Sequence, residues 1–95
     1  MFVANDLDDA NAMAWAARQE FIQAWERCKR EPHSPEAWTE AADTLRRFHL
    51  DILRLQSTLN AYPWTRRWRT KANEDLASHM TLYKYACQSG YSIGE

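Results

Sequence analysis

Between Tyr62 and Lys71 the chain reads Tyr62-Pro63-Trp64-Thr65-Arg66-Arg67-Trp68-Arg69-Thr70-Lys71, four cations within six residues, interleaved with two tryptophans. Such a stretch can neutralise phosphates while its rings stack on bases. It can equally clamp carboxylates on a protein, since Trp and Arg are the usual interface anchors. Trp64, Arg66, Arg67, Arg69 and Lys71 are therefore the expected partner-binding residues. A protein partner is favoured over nucleic acid, because a nucleic-acid binder of this size is usually basic overall and this chain has a net charge of −1. The competing structural reading puts Trp68 in the core, uses Trp64 to hold the loop and pairs the arginines with nearby acids, since charge runs are usually solvated faces.

Other reactive residue types are thinly spread. His49, His79 and Glu20 can fall at one height in a helical bundle, which would give a His-His-carboxylate layer. Their spacing matches no ligand motif, and a buried or boundary histidine with hydrogen bonds is the commoner outcome, so no metal is expected. Cys28 and Cys87 lie near the ends of two helices that finish at the same pole. Both are expected to be buried, reduced thiols on core stripes. Carboxylate pairs such as Glu36/Glu40 and Glu74/Asp75 lack a companion base. Glu40-x-x-Asp43 resembles one of the two linked acidic motifs of MazG-type all-helical pyrophosphohydrolases, but the second motif is absent. The stretch Pro35-Glu36-Ala37-Trp38 is similar to an inter-repeat loop of a tetratricopeptide repeat, without the 34-residue period that a repeat protein requires. The expectation is a protein with no catalysis and no cofactor.

The elements that must position these residues are read from periodicity. Trp38, Ala41, Leu45, Phe48, Ile52, Leu55 and Leu59 recur at steps of three and four, one apolar stripe of a long helix. Before it, Leu7, Ala10, Ala14, Ala17, Phe21, Ala24, Trp25 and Cys28 form a second stripe rich in small residues. After it, Trp68, Ala72, Leu76, Met80, Tyr83 and Cys87 form a third. Asp6, Asp8 and Asp9 suit a helix N-terminus, and Lys29 and Arg30 suit a C-terminus. Ser34-Pro35 is an N-cap followed by proline at the first helical position. Tyr62-Pro63 makes the second break, and Ser89-Gly90 the final stop. Asp43 with Arg47 and Asp51 with Arg54 are candidate pairs on the outer face of the second helix. The spacing predicts helices over about 7–30, 35–60 and 64–88, joined by short breaks that force antiparallel neighbours. The expected fold is all-α, an up-down-up three-helix bundle forming a single domain over 1–95, with a dimerising hairpin as the alternative.

The composition agrees: 45% hydrophobic, 26% charged and only two glycines among 95 residues. A chain this short hides only about 60–65% of its unfolded surface. Five Trp, four Tyr and three Phe exceed what such a core needs, so some rings are expected in an interface. Leu50 and Leu82 fall off the helical stripes and are the candidate self-association residues, making a homo-oligomer one expected outcome. The start of the chain lacks a signal-peptide pattern, and no run is long enough to span a bilayer, so a cytoplasmic location away from membranes is expected. In size and aromatic content the chain resembles the small helical proteins with which phages and mobile elements inhibit host systems, anti-CRISPR proteins among them. That resemblance implies a protein that works by covering a surface on another macromolecule. Direct nucleic-acid binding by the basic, Trp-rich stretch is the competing function.

Overall fold

The computed structural model describes residues 4–61 and 65–88. Three helices follow one another, α1 (Ala4–Arg30), α2 (Pro35–Ala61) and α3 (Arg66–Gln88). They form an all-α three-helix bundle, with no strand among the described residues. Glu20 meets Arg47 and Met13 meets Arg54, so α1 and α2 run antiparallel. Asn11 meets Asp75 and Arg18 meets Ser78, so α1 and α3 run parallel. The bundle measures 48 × 21 × 19 Å, the elongated form expected when 27-residue helices, each about 40 Å long, lie side by side. None of these helices is long and apolar enough to cross a membrane.

Local signals place the ends. The Ala37 N–H donates to Ser34 Oγ at 3.2 Å, and the Trp38 N–H reaches Ser34 O at 3.3 Å, so Ser34 caps α2 ahead of Pro35. At the start of α3 the Arg69 N–H donates to Thr65 O at 2.9 Å, which makes Thr65 the residue flanking the first turn.

The core is built on small residues. Ala10, Ala14, Ala17 and Ala24 of α1 and Ala37 and Ala41 of α2 are all buried. Short side chains let two helix axes approach closely, and the α1–α2 pair holds most of the interhelical contact. Phe21 and Phe48 fill the space this leaves, their rings stacked with centroids 6.4 Å apart and both fully buried. Trp25 stacks on Phe21 at 5.3 Å from the half-buried edge of the same core. Thr44 is buried among them because its hydroxyl donates within its own helix, to Glu40 O at 2.9 Å and Ala41 O at 3.0 Å.

Two expected core positions are displaced by one residue. Ala37, not Trp38, fills the first buried turn of α2. Trp38 stays near the surface, and its indole N–H donates to Pro32 O at 2.8 Å, tying the α1–α2 connection to the helix that follows. At the end of α3, Ala86 is buried and Cys87 is exposed. The cause is that α3 lies against both other helices. Its seam reads Trp68, Ala72, Asp75, His79, Leu82 and Ala86, again steps of three and four, alongside Leu76 and Tyr83.

Phe48→Ala is expected to cost about 3–5 kcal/mol in urea unfolding, since it empties the centre of the bundle. Leu50→Ala, two residues away on the exposed side of the same helix, is expected to stay within about 0.5 kcal/mol of the parent.

Candidate functional site

The basic stretch is only partly a patch. Arg66, Arg67 and Arg69 are exposed, and none of their side chains has an ion-pair or hydrogen-bond partner among the described residues. Lys71 reaches Asp75 at 3.6 Å. At about 100° per residue, Arg69, Arg66, Arg67 and Lys71 span about 200° of the helix circumference. They cover the whole solvent half of the first turns of α3 rather than one side of it. Trp68 points the other way and packs, half-buried, against the core. Trp64 lies outside the described residues.

The densest chemistry lies instead along the seam between α1 and α3. The Asn11 amide donates to Asp75 Oδ2 at 2.7 Å. The Trp15 side chain also hydrogen-bonds the Asp75 carboxylate, and its indole N–H is the group able to donate. Burial alone would raise the Asp75 pKa. The Asn11 and Trp15 hydrogen bonds, with Lys71 and His79 nearby, outweigh burial and hold the carboxyl below its ordinary value. One turn on, Arg18 Nη1 donates to Ser78 Oγ at 2.9 Å and lies 3.2 Å from His79 Nδ1. The guanidinium also sits 4.8 Å from the Trp15 ring centroid, a cation–π contact. His79 is fully buried, its ring close to perpendicular to Trp15 at 4.7 Å and to Phe48 at 5.6 Å. Its Nε2, like Asn11 Oδ1, is buried without a hydrogen-bond partner among the described residues.

His79 is the buried, hydrogen-bonded histidine that the sequence allows, whereas Asn11, Trp15 and Arg18 belonged to no site read from the sequence. The signal was present in the stepping Trp68-Ala72-Asp75-His79-Leu82-Ala86, which is a core seam once polar residues are allowed on it. An apolar-only search passes over it.

The remaining candidates separate. His79 and Phe48 share a layer, but His49 lies about 100° further round α2 than Phe48. His49 stacks on Tyr83 at 4.4 Å, with the Tyr83 hydroxyl 3.3 Å from His49 Nδ1. Glu20 pairs with Arg47 at 3.3 Å. The three residues that could share a layer therefore do not meet, and no group of three or more metal-ligating side chains forms among the described residues. Asp43 pairs with Arg46 at 2.9 Å and not with Arg47, which the interhelical bridge to Glu20 claims. Asp51 keeps Arg54 as an electrostatic neighbour, though burial dominates and raises its carboxyl pKa; Glu20 adds to this rise, while Arg54 and Arg47 oppose it.

Leu50 is exposed at 59%, whereas Leu82 is half-buried and packs on the core. The seam with α1 turns Leu82 inward, and exposed Leu53 is the apolar neighbour of Leu50 instead. Cys28 is buried, with Sγ 3.2 Å from Ala37 O, and Cys87 is exposed, so the expectation of two buried thiols holds for the first alone.

The grooves are shallow. One of about 170 Å³ between α1 and α2, lined by Met13, Ala17, Glu20, Thr44, Arg47 and Asp51, is smaller than the roughly 300–1,000 Å³ that encloses a small-molecule ligand. Another, beside Glu36, Glu40 and Asp43, is lined wholly by exposed residues and cannot exclude water.

Compared with protein-family models, curated proteins and solved structures, the chain shows no match in any of the three.

Iodoacetamide is expected to alkylate Cys87 in the native protein and to reach Cys28 only after denaturation, read by intact and peptide mass. Asp75→Asn is expected to cost about 1–3 kcal/mol at neutral pH, because the Asn11 and Trp15 donors lose their carboxylate. A depressed carboxyl pKa gives stability that is present above the ordinary value of 3.8 and lost as pH falls through the lower folded value. The variant should therefore show a flatter stability profile than the parent below that pH.

Proposed function

We propose that the protein acts without catalysis, by docking the basic start of α3 onto an acidic surface of another protein. The supporting observation is that Arg66, Arg67 and Arg69 are exposed and unpaired among the described residues, at the helix end whose dipole they oppose. Several cations elsewhere are paired within the bundle. Arg27 pairs with Glu31 and Glu40, Arg46 with Asp43, and Arg47 with Glu20. Like-signed charge at a helix N-terminus costs about 0.3–1 kcal/mol at low ionic strength, and a partner's carboxylates would relieve it. The cations wrap the outer half of the helix instead of tracking one line, and the chain is net −1. Both features suit a concave acidic protein surface better than a run of phosphates.

In this reading Lys71 is shared between the partner and Asp75, and Trp64 joins the contact from the connection before α3. The role is that of a small inhibitor of the kind phages and mobile elements direct at host systems. It operates in the cytoplasm, where Cys28 and Cys87 stay reduced. The Leu50 and Leu53 face of α2 is the surface open to a second copy.

The test is a pull-down from host lysate, with and without nuclease and at low and high salt, comparing the parent with an Arg66→Ala/Arg67→Ala/Arg69→Ala variant. The variant is expected to melt at the same or a higher temperature, since unfavourable dipole interactions are removed. It is also expected to lose a defined protein band that survives nuclease. Material that vanishes with nuclease and falls steeply with salt would move the function to nucleic acid. An unchanged band in the variant would sink the assignment of these arginines.

A further inference from the structure

We propose that His79 is an acid-operated latch: protonation of its buried imidazole unseats α3 from the α1–α2 hairpin. The inference rests on the packing around that ring and is independent of what α3 binds.

Three elements surround the ring. From α1 come Trp15 and the Arg18 guanidinium, which lies 3.2 Å from Nδ1. From α2 comes Phe48, and no charged group of α2 contacts the ring among the described residues. From α3 itself come Ser78, which holds Arg18 in place, and Asp75, whose carboxylate is already engaged by Asn11, Trp15 and Lys71.

An arginine can only donate, so Nδ1 must be the acceptor and the ring proton sits on Nε2. A second proton has one place to go, Nδ1. There it would set an N–H against the N–H of Arg18, and a positive charge on a fully buried ring against the charge of a half-buried guanidinium. Nε2 has no hydrogen-bond partner to share the added charge. Burial, and then Arg18, outweigh the attraction of Asp75 for the imidazolium, which agrees with a His79 pKa below its ordinary value. The neutral ring therefore fits the closed bundle and the charged ring does not.

The response falls on α3 because α3 is the weakest-held element. Most interhelical contact lies between α1 and α2. The buried set of α3 is Ala72, Leu76, His79 and Ala86, of which Leu76 alone is a large apolar side chain. Charging one of these four removes a substantial part of its anchorage. The hairpin keeps the stacked Phe21 and Phe48 and its alanine seam. Release would uncover the Phe48 and Trp15 faces and free the basic end of α3 from the bundle.

The sign follows from linkage. A histidine whose folded pKa is depressed contributes stability that is complete above its unfolded value of about 6.5. That contribution is lost as pH falls below it, by about tenfold in the closed-to-open ratio per pH unit, until the folded pKa is passed.

The experiment is hydrogen exchange of the full chain at pH 7.5 and 5.0, expressed as protection factors so that the chemical rate is removed. Protection in α3 is expected to fall about tenfold or more while α1 and α2 hold theirs. His79→Gln, which keeps a neutral acceptor for Arg18, should abolish the step, and Arg18→Met should shrink it. Equal α3 protection at both pH values would overturn the latch, as would simultaneous loss in all three helices or an unchanged step in His79→Gln. Should His79→Gln fail to fold, the carbon–proton NMR signals of the parent His79 ring decide. The latch requires that ring to remain neutral until α3 amides are lost. A ring that protonates with the α3 amides in place refutes it.

Discussion

How closely α1 can approach α2 decides the rest of the bundle. Alanine at 10, 14, 17 and 24 of one helix and at 37 and 41 of the other removes the side-chain bulk that would hold the axes apart. At the middle of that seam two phenylalanines stack at 6.4 Å. With the hairpin closed so tightly, its remaining apolar surface is a narrow trough on one side. α3 occupies that trough. In a chain of 95 residues such a pair supplies most of the burial available, so the third helix is held by a thinner apolar contact and by polar groups.

Those polar groups fix the seating of α3. Asn11 and Trp15 converge on one carboxylate, and Arg18 bridges Ser78 and His79 one turn further along. Sliding α3 by a turn would part buried Asn11 and His79 and half-buried Asp75 from their partners, a larger loss than shifting a few methylenes between similar apolar surroundings. Alanine and leucine on the same face would allow several registers. The polar seam therefore specifies one register where the apolar contact alone would not. The same arrangement leaves Asn11 Oδ1 and His79 Nε2 without partners. The groups that define the register thus also carry its unsatisfied polar atoms.

The aromatic excess has a comparable explanation. Trp15 spans Arg18 and His79, Trp25 spans Phe21 and Lys29, and Trp38 ties back to the Pro32 carbonyl. Each large ring sits at a boundary, with one face on the core and the other against a cation, a backbone group or water. A slender bundle has much boundary and little interior, so rings that tolerate both environments suit it. Among the described residues, Tyr85, 61% exposed beside Trp25, Met13 and the leucines at 50 and 53 are the large apolar side chains this logic leaves facing solvent.

The sequence by itself determined the class of fold and nearly all of its linear anatomy. Period and punctuation are local properties. A stripe from Ala41 to Leu59 can be satisfied only by a helix with one buried side, and Ser34-Pro35 can only open one. The stripe of α1 was legible for the same reason, down to Cys28. Tertiary structure decided which way each helix turns. Trp38 yields its place to Ala37 because the connection folds back beside it. Leu82 turns inward and Cys87 outward because α3 faces two neighbours at once, and a single stripe describes only one. The candidate site divides along the same line. Exposed arginines at the start of α3 are visible as a cluster of letters, yet their spread round the helix is a matter of rotation. The convergence of Asn11, Trp15, Arg18, Asp75 and His79 belongs to no local pattern. These residues lie some 60 positions apart in pairs, and only the parallel packing of the first and third helices brings them together.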